Sequence, residues 1–133
     1  MINLFPQFFV FSLLAPFILR IVLGLILIYH GYPKLFKAFQ GTVSYFESVG
    51  IKPAKFWVIV VGLVEFLGGI FILIGFLTQL AAILVSLEFL FIVFGLKINK
   101  GFKELEFDLA ILAIALSLIF LGAGAFAVDI PSL

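Results

Sequence analysis

Residues 56–98 read FWVIVVGLVEFLGGIFILIGFLTQLAAILVSLEFLFIVFGLKI. Two apolar runs of 21 residues, 56–76 and 78–98, meet at Gly75-Phe76-Leu77-Thr78, and each carries one carboxylate near its middle. About 20 apolar residues at 1.5 Å rise cross a hydrocarbon core of about 30 Å. The midpoint of positions 65 and 88 falls in the turn. An antiparallel helical hairpin therefore sets Glu65 and Glu88 at one depth, far from either surface. One charge at that depth costs about 2.5–3.5 kcal/mol on insertion scales, so such residues are seldom idle. The stretch reads as two membrane spans with a polar centre.

Composition agrees. Of 133 residues 65% are hydrophobic and 11% charged, and the mean hydropathy is +1.41. A soluble domain of this size needs far more polar surface, so an integral membrane protein is expected, with no separate soluble domain. The absence of cysteine excludes disulfides, thiol redox chemistry, Cys-ligated iron–sulfur clusters and covalent haem attachment. The single histidine, His30, argues against a bis-His haem or a conventional zinc site within the chain, so no metal is expected. A formal net charge of +1 gives no reason to expect a nucleic-acid partner.

Outward from the hairpin, residues 13–33 form another apolar run, in which Pro16 suits a helix's first turn. This run contains Arg20 and ends in Tyr29-His30-Gly31-Tyr32-Pro33-Lys34. The residues before it lack the basic start of a signal peptide and read as an outside segment. Between Lys34 and Lys55 lies the long polar connection. Phe39, Val43 and Phe46 recur there at spacings of four and three, with Gly50 and Pro53 as terminators. That pattern predicts a short interfacial helix over 39–50, and Trp57 follows where an interfacial anchor belongs. Residues 97–106 form a second polar loop. Residues 107–127 form a fourth apolar run, with Asp129-Ile130-Pro131 just outside it. The expected fold class is all-α: a single domain over 1–133, a four-transmembrane-helix bundle with spans at about 13–33, 56–76, 78–98 and 107–127.

Charge distribution orients this bundle. Lys34, Lys37, Lys52, Lys55, Lys97, Lys100 and Lys103 belong to the first and third loops, and the other side has neither Lys nor Arg. The positive-inside rule then predicts a multi-pass protein of the cell membrane, with both lysine-rich loops cytoplasmic and both termini outside.

Small residues share helical faces with the buried charges: Gly24 and Gly31 with Arg20, Gly62 and Gly69 with Glu65, Ala81 and Gly95 with Glu88, Ala115 and Gly122 with Asp108. Close helix approach at these faces would carry the charges inward. Arg20 has a stem long enough to reach a glutamate in a bidentate pair. One guanidinium cannot neutralise two carboxylates. One of Glu65 and Glu88 is therefore expected to pair with Arg20 while the other holds a proton. A plain salt bridge with a protonated glutamate as hydrogen-bond glue would account for the same residues. His30 and Lys34 lie four apart on one face near the cytoplasmic end. His30 would pass protons inward or hydrogen-bond a ligand carbonyl, unless it is simply hydrated there. Asp108, at the same surface, reads first as a helix N-terminal cap.

Arg20, His30-Gly31-x-x-Lys34-Leu35 and Gly62-x-x-Glu65-x-x-Gly68-Gly69-x-x-x-Leu73-x-Gly75-x-x-Thr78 together resemble the DoxX family of small four-helix membrane proteins. The likeness runs from about Leu13 to Asp129. That family includes the membrane subunit of a thiosulfate:quinone oxidoreductase, so the resemblance implies a membrane quinone as ligand, with Arg20, His30 and Glu65 at matching positions. Glu88 has no counterpart in the resemblance, and its role rests on depth alone.

These readings converge on a ligand site. Glu65, Glu88 and Arg20 would be its catalytic residues, and Arg20, His30, Lys34, Glu65 and Asp108 its ligand contacts. Quinone chemistry couples electrons to protons, so such a site wants a donor at one carbonyl and an exchangeable proton near the other. Electrons would come from a soluble or membrane redox subunit or directly from a reduced substrate, and a homo-oligomer in the lipid bilayer is compatible. Two other classes fit the same residues. One is a small proton-coupled transporter or exporter using the glutamate pair; the other is a non-catalytic anchor or assembly subunit.

Overall fold

The computed structural model describes residues 2–129. Among them the regular elements are helical. A 3-10 turn at Pro6–Phe11 precedes α1 (Leu14–Leu35), α2 (Phe39–Ser48), α3 (Ala54–Ile74), α4 (Thr78–Phe91) and α5 (Phe102–Leu121); a π-helical turn, Ile92–Lys97, prolongs α4. Three of these, α1, α3 and α4 with its π turn, are long and apolar enough to cross a membrane. By length α5 matches them, but Lys103, Glu104, Glu106 and Asp108 crowd its first two turns. Length and composition therefore do not single it out as a span. Its bounds also differ from the expected 107–127: the helix begins after Gly101 (φ 91°) and stops where Gly122 takes φ 73°.

The tightest packing is between α1 and the antiparallel α3, and glycine makes it possible. A Cβ on Gly24 would stand 2.8 Å from the Gly69 carbonyl oxygen, and one on Gly31 would stand 2.8 Å from Glu65 Cβ. Side chains there would force the helices apart. The resulting register sets Arg20 level with Leu73, Gly31 with Glu65, and Leu35 with Gly62. Because α1 stops at Gly62, the first two turns of α3 project beyond it. There α2 packs on α3, its Val43 and Phe46 meeting Ala54 and Val58. The main core joins Leu23 and Leu27 of α1 and Ile72 of α3 to Ala82, Val85 and Phe89 of α4 and Ile111, Ala115 and Leu118 of α5. The outer faces stay apolar, with Leu25, Ile59, Leu67, Leu87 and Phe94 exposed, as suits a hydrocarbon surround rather than water. One expected face is not kept. Ala81 is buried but Gly95 is exposed, because the π turn breaks the 3.6-residue period between them.

Beyond α5 the chain folds back as a strap across the end opposite the lysine-rich loops. Gly122 and Gly124 supply the positive φ values its bends require. The strap's amides then pair with the ends of α1 and α3: Ala125 N–H donates to Leu13 O (3.0 Å), Val128 N–H to Ile74 O (3.2 Å) and Asp129 N–H to Gly75 O (2.7 Å). Ile130 and Pro131, expected just outside the last span, lie outside the described residues.

Asp129 completes the turn between α3 and α4. Its Oδ1 accepts from Leu77 N–H (2.8 Å) and its Oδ2 from Thr78 N–H (2.9 Å), capping α4, whose own N-cap residue makes no side-chain bond. Burial pushes the Asp129 carboxyl up. The Thr78 and Leu77 donors and the charge of Arg20 outweigh it and hold the group below its ordinary value. The folded chain thus holds this proton more weakly than the unfolded one. The cap contributes above the ordinary carboxylate value of about 4 and is lost as pH falls through the lower folded value. Melting of the purified protein in detergent should therefore show wild type above Asp129→Asn at pH 7, with the gap closing below about pH 4. A gap independent of pH would deny the carboxylate this role.

Candidate functional site

The short reach of α1 leaves a cavity of about 1200 Å³ toward the lysine-rich loops. Every helix contributes to its wall: His30 and Lys34 from α1, Tyr45 from α2, Trp57 and Glu65 from α3, Glu88 from α4, Asp108 from α5. Lys97, in the π turn, joins them. Most of the wall is apolar, supplied by side chains such as Ile26, Val60, Val64, Leu84 and Phe107.

Glu65 is 1% exposed, and the Lys34 ammonium donates to both of its oxygens at 2.7 Å. Local sequence explains the meeting. Gly31 lets α1 press against Glu65, and Lys34 lies one turn further on the same face. The Glu88 carboxyl lies beside that of Glu65. Both its oxygens are buried, and neither receives an N–H or O–H from the described residues. A carboxylate offers only acceptors, so the Glu65–Glu88 contact is a hydrogen bond only when a proton lies between them. Lys97 Nζ and Asp108 Oδ2 form a second pair at 2.7 Å. His30 stands at the cavity's edge, its ring 5.6 Å from that of Phe107.

The expected site residues are thus brought together with one exception. The Arg20–glutamate pair is not formed. Arg20 is fully buried, but its guanidinium turns to backbone carbonyls at the strap end. Nε donates to Ala123 O (2.8 Å), Nη1 to Leu73 O (3.1 Å) and Ile72 O (3.4 Å), and Nη2 to Ala125 O (2.6 Å) and Phe126 O (3.0 Å). The α1–α3 register is the reason. Arg20 lies level with Leu73, eight residues or about 12 Å along α3 from Glu65. Lys34 is the counter-ion instead. Asp108 caps no helix by itself; it pairs with Lys97, which sequence reading counted only as a loop lysine. The available signal was the apolar run through position 96, which places Lys97 at a helix end facing the start of α5.

The DoxX family model matches residues 15–97. A Bacillus subtilis (strain 168) protein named "Putative oxidoreductase CatD" is 27% identical over 117 residues, covering 87% of this chain and 85% of that protein. No solved structure matches the chain significantly. The match over 15–97 takes in the Lys34–Glu65 pair, Glu88 and the glycines that set the α1–α3 register, and on it the chain belongs to the DoxX family of membrane proteins.

Proposed function

We propose that the cavity binds the head group of a membrane quinone, or a similar small redox-active ligand, and that the chain serves a redox partner as its membrane subunit. In this reading the protein lies in the cell membrane as a four-span bundle, α5 being the fourth span. The lysine-rich loops face the cytoplasm and α2 lies in the interface. The observation that carries it is a large apolar-walled cavity with a carboxyl pair, one member of which has no donor among the described residues. Family membership and the likeness to a protein named as an oxidoreductase support the same reading.

The residues suit such a ligand. A quinone head is flat and apolar with two carbonyl acceptors, and the cavity is large enough for it. Lys34, Lys97 and His30 are among the donors available to those carbonyls. Glu88 is the group from which a proton can be exchanged without breaking an ion pair, while Lys34 holds Glu65 in place. A bound quinone would supply two-electron, two-proton redox chemistry; the chain would position its head and manage the protons.

Photolabelling in liposomes with an azido-quinone tests this. Glu88→Gln and Lys97→Met should each cut labelling of the folded protein about tenfold, the worth of one strong hydrogen bond in a dry site. Thermal stability should stay near wild type in Glu88→Gln, whereas Lys97→Met also unpairs the buried Asp108 and should melt lower. Unchanged labelling in both variants would remove quinone from the account.

A further inference from the structure

A second apolar space adjoins the cavity. A narrower groove of about 240 Å³ follows the outer seam of the α3–α4 hairpin, walled by Leu63, Leu67, Phe71 and Leu80 and reaching Leu77 at the turn. Val64 and Leu84 line both spaces. Each stands next to the polar centre: Val64 precedes Glu65 in the chain, and Leu84 is one helical turn before Glu88 on the same face. From Val64 to Phe71 the groove runs about 10 Å away from the carboxyls.

Gly68 keeps this seam open. A Cβ there would meet only Val85 Cγ2, at 3.6 Å, an ordinary contact. Gly24, Gly31 and Gly69 are different, since a side chain at any of them would strike the backbone of the neighbouring helix. Helix packing therefore requires those three glycines but not Gly68. What the missing side chain at 68 provides is space. The outer lip, Leu67 and Leu80, is exposed.

We infer that this groove receives the apolar tail of the ligand whose polar head occupies the cavity. The site then selects a membrane-dissolved molecule with one long chain over a compact, water-soluble one. The inference rests on the ligand reading above. Adjacency argues for this occupant: the groove begins at Val64 and Leu84, the same side chains that wall the cavity next to the carboxyl pair, whereas a lipid acyl chain or a second copy of the protein would need no such meeting of the two spaces.

Trp57 is the chain's single tryptophan and lines the cavity, so its fluorescence should report quinone binding by quenching. Protein in nanodiscs would be titrated with a tail-less benzoquinone and its decyl-tailed counterpart, both expressed as mole fraction of lipid. Both should quench wild type. Gly68→Leu should weaken the decyl form about tenfold, a modest overpacking penalty, and leave the tail-less form unchanged. Leu80→Phe, on the exposed lip where folding is not at stake, should act in the same direction. Gly68→Ala should remain close to wild type. Equal behaviour of the two quinones in wild type and in both filled variants would overturn the groove while leaving the cavity reading intact. No quenching of wild type by either compound would defeat the cavity reading and the groove with it.

Discussion

Lys34→Met should destabilise the folded chain by about 3 kcal/mol, more than Glu65→Gln does. Glu65 is almost wholly enclosed, and both its oxygens depend on one ammonium at 2.7 Å. It has no easy way out, because Gly31 of α1 lies directly against its Cβ. Removing Lys34 therefore leaves a buried acid without its partner, and places it beside a second acid, Glu88. The reverse substitution is milder: the Lys34 side chain is 27% exposed and its ammonium can reach water when Glu65 is neutralised. The double variant Lys34→Met/Glu65→Met should recover most of the loss, since a buried ion pair exchanged for apolar groups is often neutral. Thermal unfolding of the four proteins in detergent completes a double-mutant cycle. A double variant no more stable than Lys34→Met would mean that the pair's geometry, rather than its charge balance, is what the fold needs.

Much of the architecture was legible because the bilayer imposes a length and a polarity that residues 56–98 display directly. The glutamates' common depth and the inward turn of Gly24, Gly31, Gly62 and Gly69 followed from spacing. What spacing did not deliver was the register between α1 and α3, and with it the partner of Glu65. Yet a signal existed. Gly24 and Gly69 are small residues on the facing stripes of α1 and α3, and packing them against each other antiparallel puts Arg20 near Leu73 and Lys34 on the Glu65 side. Arg20 was matched to a carboxylate because guanidinium and carboxylate pair so well in isolation. The backbone carbonyls of residues 123–126 were invisible as competitors, since nothing in an apolar tail with two glycines announces that it folds back. The π turn was equally hidden. It inserts an irregular step after Phe91 that no period-counting anticipates, and it turns Lys97 toward Asp108.

Arg20→Met should release the strap, with a loss on the order of 3–5 kcal/mol. Five N–H···O contacts tie one guanidinium to carbonyls at the end of α3 and along the strap. They are backbone acceptors in a site that admits no water to the Arg20 side chain. Methionine fills much the same volume and satisfies none of them. Arg20→Lys should not restore stability, because an ammonium cannot spread donors over Leu73, Ala123 and Ala125 at once. Hydrogen exchange reads the effect locally. The amides of Ala125, Val128 and Asp129, now bonded to Leu13, Ile74 and Gly75, should exchange on the order of several hundredfold faster in Arg20→Met. Because the strap and the cavity lie at opposite ends of α1, azido-quinone labelling of the molecules that remain folded should be unaffected. Labelling lost while the strap amides keep their protection would return Arg20 to the ligand site and make its carbonyl contacts incidental.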